Sequence, residues 1–116
     1  MSALYHFTCE HHAGAIRRVG VLRPSPVLAY FVPLVWMTDL GVPDRRGLGL
    51  TSTILACDRL TFRFRASDSR SVVAWNVFKR GRLPRGVIER LEAAPGALPS
   101  HWFVSEVPVP VVEEPR

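Results

Sequence analysis

Residues 4–24 read LYHFTCEHHAGAIRRVGVLRP. In the first six, Leu4, His6 and Thr8 alternate with Tyr5, Phe7 and Cys9. Period-two alternation in an aromatic-rich run predicts a strand. From Glu10 the period changes: Ala13, Ile16 and Val19 recur at helical spacing. This predicts a helix over 10–19, opened by Thr8 or Glu10. Gly20 stands where a left-handed C-terminal glycine ends a helix, directly after the last-turn cations Arg17 and Arg18 that suit the helix dipole. Val21-Leu22-Arg23-Pro24 then reads as a short strand or an extended exit.

Outward from this unit, Pro24, Pro26 and Pro33 punctuate a loop, and LVWMT (34–38) reads as a second strand, apolar enough to be central. DLGVPDRRGLG (39–49) carries turn residues throughout. Ser52 to Cys57 fits a strand or a helical turn equally. LTFRFR (60–65) sets Phe62 and Phe64 opposite Thr61, Arg63 and Arg65. Val72 to Phe78 is another strand candidate. Leu83 to Ala94 predicts a helix with Val87, Ile88, Leu91 and Ala94 on one face, Pro84 near its first turn and Pro95-Gly96 as its stop. HWFVSE (101–106) is a last strand, and from about residue 107 to 116 the chain is an extended, proline-spaced tail. Strand, helix, strand, several more strands and one late helix predict a single α+β domain over 1–116, its sheet mostly antiparallel.

The 116 residues, 13.0 kDa, leave room for one modest core. With 47% hydrophobic and 22% charged residues, the composition excludes a disordered chain. The longest apolar stretch, Pro26 to Met37, is broken by Pro33 and falls short of a membrane span, and Met1 opens no basic-then-apolar leader. The expectation is a soluble cytoplasmic protein. Its formal charge of +5 rests on fourteen Arg and the lone Lys79; the last eleven residues contribute −2, so residues 1–105 carry +7. A basic, Arg-rich body suits polyanions, since guanidinium forks bind phosphate bidentately. Cys9 and Cys57 are too isolated to argue for a disulfide, and Cys9 with His11 and His12 lacks the second ligand pair of a zinc site, so no metal is expected.

The order YHFT (5–8), helix, Gly20, VLRP (21–24), VWMT (35–38) and WFVSE (102–106) resembles the small ADP-ribosyltransferase-fold proteins, the nucleic-acid-modifying toxins and tRNA phosphotransferases among them. These pieces span about half of the chain, and their order carries more than any one of them. The resemblance implies a small, split, twisted, mostly antiparallel sheet with two short helices, gripping NAD in a cleft. By the same resemblance His6 bonds the nicotinamide ribose, Trp36 or Tyr30 packs on the nicotinamide, and Thr8 and Thr38 border the cofactor. Arg17, Arg18, Arg23, Arg45 and Arg46 meet its diphosphate, and Glu106 faces the anomeric carbon. Cleaving the nicotinamide–ribose bond builds an oxocarbenium-like cation, which a carboxylate stabilises more in the transition state than in the ground state. The chain has no S-T-S second motif and no E-x-E or Q-x-E pair; the phosphotransferase branch uses Arg and His in place of the acid.

Each candidate also has a plain structural reading. His6 fits a half-buried, hydrogen-bonded histidine, Trp36 and Trp102 fit core aromatics, and Glu106 fits an edge charge that discourages sheet-to-sheet pairing. Arg59, Arg63, Arg65 and Arg70 form one cationic stripe and Lys79, Arg80, Arg82 and Arg85 a second, suited to phosphate backbones or merely to a solvated sheet face. Three functions follow: transfer of ADP-ribose from NAD to nucleic acid, in a bacterial or phage accessory protein; a basic nucleic-acid-binding module without chemistry; or a small interaction domain docking through Val107 to Pro115.

Overall fold

The computed structural model describes residues 3–8, 10–25, 33–41, 62–93 and 97–114. In chain order the elements are β1 (Tyr5–Thr8), α1 (Glu10–Val19), β2 (Val21–Leu22), β3 (Val35–Thr38), β4 (Phe62–Ala66), β5 (Val73–Ala74), α2 (Trp75–Phe78), α3 (Arg85–Glu92), a 3-10 turn (Pro99–His101), β6 (Trp102–Ser105) and β7 (Val109–Glu114). The strands form one seven-stranded sheet in the order β2-β7-β4-β1-β3-β6-β5. Every pairing in it is antiparallel. The domain is α+β, as the element pattern predicts. No helix among the described residues is long and apolar enough to cross a membrane.

The opening unit forms as its local chemistry dictates. α1 ends where Gly20 adopts a φ of 80° and donates its N–H to the Ile16 carbonyl at 2.7 Å. The Gly20 carbonyl then accepts from Val111, which ties the helix exit to β7.

Strand register assigns each side chain to a face. His6 pairs with Phe64, and Val35 and Met37 pair with Ser105 and Phe103. These residues share the face on which Ala13 and Ile16 of α1 pack against Leu22, Val35, Met37, Phe64, Val109 and Val111. On the other face, Trp36, Trp102, Val104 and Leu34 meet Trp75 and Phe78 of α2 and Val87 and Leu91 of α3. We call these the α1 face and the α3 face. Phe64, Trp75, Leu34 and Val104 are almost wholly buried, and each stabilises the fold by about 1.5–3 kcal/mol through apolar burial.

Two expectations are corrected. The run over 72–78 is a strand only at Val73–Ala74; from Trp75 it turns helical, because Trp75 and Phe78, three apart, must both reach the core beneath α3. The proline-spaced tail is no free arm. Val109 and Val111 point inward, and Val109–Glu114 is β7, paired with β4 on one side and β2 on the other. A domain docking through that segment therefore loses its docking element. The helix expected over 83–94 spans Arg85–Glu92, with Pro84 at its N-cap. The segment 52–57 lies outside the described residues.

Candidate functional site

β1 and β4 register at four positions, whereas β1 and β3 register at Tyr5↔Thr38 alone. Beyond that pair the two strands run on without further ladder pairs. There the His6 ring bridges the junction, with Nδ1 2.9 Å from the Trp36 carbonyl oxygen. A carbonyl can only accept, so Nδ1 carries the proton and Nε2 presents a lone pair. Burial pushes the His6 pKa below its ordinary 6.5; the Trp36 hydrogen bond opposes this, and nearby His12 adds to it. His6 is thus a neutral imidazole of defined tautomer, partly accessible, on the α1 face.

The other residues expected beside it do not join it. Trp36 projects to the α3 face, where its ring lies 5.0 Å from that of Trp75 and edge-on to Trp102 at 5.9 Å. It is a core aromatic, not a nicotinamide platform. Glu106 follows Ser105, which faces α1, so alternation turns it to the α3 side. There it is exposed and ion-paired at 2.6 Å with Arg82, whose guanidinium lies over Phe78. Glu106 and His6 stand on opposite faces of the sheet, so Glu106 does not share a centre with His6. Thr38, also turned to the α3 face, is buried and accepts the Leu40 N–H through Oγ1 at 3.1 Å, which closes a local turn. Thr8 is buried on the His6 face at the end of β1. Arg17 binds Glu113 of β7 bidentately, at 2.5 and 2.9 Å, and is not available for a diphosphate. Arg18 and Arg23 are exposed. Tyr30, Arg45, Arg46 and Arg59 lie outside the described residues.

The cationic stripe is largely neutralised from within. Arg63 and Arg65 do project from one side of β4, toward the α3 face. Glu114 of β7 meets them both, Arg63 at 3.5 Å and Arg65 more closely. Arg70 folds back on Asp68 and, by hydrogen bonding and charge, pulls that carboxyl down to about 2. Lys79 binds Glu92 at 2.7 Å, and Glu92 also accepts the Trp75 indole N–H at 2.7 Å, tying α2 to α3. Arg80 is exposed.

A second polar pair was not foreseen. Nδ1 of His101 lies 2.7 Å from Oδ1 of Asp39. Both residues were visible as loop or strand-end positions, and the signal that joins them is the β3–β6 register: Thr38 faces Trp102, so Asp39 and His101 are the next residues along. Among the described residues no three His, Cys, Asp or Glu side chains gather to hold a metal.

Comparison with known protein families, with curated proteins and with solved structures finds no match to this chain.

Proposed function

We propose that this protein is an ADP-ribosyltransferase-like enzyme that binds NAD against β1, where it parts from β3, and passes ADP-ribose to nucleic acid. One observation carries the reading: the His6 ring is held by the Trp36 carbonyl at that junction, with its proton on Nδ1. A ribose hydroxyl is a hydrogen-bond donor, and a neutral imidazole with an open Nε2 is the acceptor it needs. An imidazolium would offer only donors. The depressed pKa of His6 keeps the ring in that accepting form at neutral pH. Glu106 has no part in this reading, which follows the phosphotransferase-like branch of the resemblance in doing without that acid.

The test is thermal unfolding with and without millimolar NAD, together with nicotinamide release, for the parent and His6→Ala. A ligand that binds only the folded form at a hundred times its Kd stabilises it by about 2.7 kcal/mol. The expected result is an NAD-dependent rise in Tm and measurable release in the parent, with both lost in His6→Ala. No shift with NAD in the parent rejects the reading. A shift with a short RNA or DNA alone, weakening steeply with salt, replaces transfer by simple nucleic-acid binding.

A further inference from the structure

We propose that Asp39 and His101 form the proton-accepting pair of the transfer reaction, and that the acceptor is therefore a neutral protic group, a hydroxyl or a nitrogen-borne N–H. This rests on the NAD reading above and deepens it.

The placement comes from register. Asp39 and His101 continue the β3–β6 ladder one step past Thr38↔Trp102, and alternation turns them to the face that carries Met37, Phe103 and, on β1, His6. Extending the Tyr5↔Thr38 register makes positions 6 and 39 diagonal neighbours, about 7–8 Å apart in ladder geometry. A ligand held at His6 thus has the Asp39–His101 pair beside it.

The pair has the form a base requires. Asp39 accepts from Nδ1–H of His101 at 2.7 Å, which orients the ring and leaves the Nε2 lone pair facing outward. His101 keeps 39% of its side chain exposed and Asp39 25%, so a substrate can reach the ring while the carboxylate stays sheltered. The pair stands on the side of the sheet where Glu106 does not.

The step balances without any further reagent. The acceptor X–H attacks C1′ of the nicotinamide ribose as the bond from C1′ to the nicotinamide nitrogen breaks. The electron pair of that bond goes to the nicotinamide, which leaves neutral. The new bond is X–C1′, and the proton of X passes to Nε2 of His101, then to water. Asp39 stabilises the imidazolium formed in between. A phosphate or carboxylate acceptor, already anionic, would need no such base.

The experiment compares the parent with His101→Asn, whose side-chain amide can stand in for Nδ1–H toward Asp39 while lacking Nε2. NAD affinity and nicotinamide release are measured with methanol, a neutral acceptor, and with azide, an anion with no proton to lose. The expected result is unchanged NAD affinity, a loss of about 100-fold or more with methanol, and azide rates close to the parent's. His101→Ala should behave likewise with methanol and regain activity when imidazole is added. Equal losses with methanol and azide, or less than about a tenfold loss with methanol, overturn the proposal while leaving the NAD site intact. A parent protein that binds no NAD removes the site and this role together.

Discussion

The guanidinium carbon of Arg63 lies 5.0 Å from the centre of the Tyr5 ring, its neighbour across the β1–β4 junction. Nη1 of the same group donates to the Gly41 carbonyl at 3.0 Å, and the side chain is 17% exposed. Arg63 thus fastens the end of β3 to β1 and β4 rather than reaching for solvent, and Glu114 gathers Arg63 and Arg65 into one charged cluster.

Replacing that shared carboxylate tests the arrangement. Glu114→Gln removes the negative partner of two partly buried guanidiniums, and loss of hydrogen bonds to charged groups costs about 1–3 kcal/mol. Urea unfolding should show a lower midpoint at an unchanged m-value. A midpoint equal to the parent's would mean the pairs are held no better than solvated surface ions.

Stability should also depend on His6 in acid. Its folded pKa lies below 6.5, so as pH falls the unfolded chain binds this proton first. The contribution from the neutral ring is complete above the unfolded value, declines as pH drops below it, and is gone once pH has passed the folded value. Denaturant midpoints measured from neutral to mildly acidic pH should fall in the parent, and His6→Gln should flatten that limb. An identical slope in the variant would show that His6 is not the group responsible.

Phe64 stands at the centre of the α1 face, 1% exposed, on the strand that joins β1 to β7. Phe64→Ala opens a cavity beneath Ala13 and Met37 and should cost about 3–5 kcal/mol. Phe64→Leu keeps most of the volume and should cost much less. Chemical denaturation of the pair reads the difference directly.

At Gly20 the backbone has a φ of 80°, yet a Cβ placed there would meet nothing within 4 Å. The penalty of Gly20→Ala is therefore conformational alone, about 1–2 kcal/mol for an L-residue in the left-handed region. Gly20→Asn should lose less than Gly20→Ala, since asparagine tolerates that conformation. Equal losses in thermal unfolding would point instead to a steric cause.

The local elements were legible because their chemistry is local. The alternation of Leu4 to Thr8, the spacing of Ala13 and Ile16, and Gly20 with its preceding cations each act within one turn or one strand, and they produced β1, α1 and its stop. Trp75 to Phe78 was misread for the same reason. A short apolar, aromatic run fits a strand and a helical turn equally well, and only the core under α3 chose between them. Val109 to Glu114 looked like a tail because its prolines mask an inward-facing Val109 and Val111, whose partners on β4 and β2 lie more than forty residues away in the chain.

From the residues alone came an α+β domain with an antiparallel sheet, a histidine on its first strand and an arginine-rich body. What side chains share a face was settled only by long-range register. Pairing of β1 with β4 and of β3 with β6 sent His6 to the α1 side, sent Trp36 and Glu106 to the other, and carried Asp39 to His101 across 62 positions of sequence. Shifting a strand by one residue would reverse each of those assignments. The choice of register depends on which apolar residues can be buried together, and that is a property of the assembled core rather than of any segment of the chain.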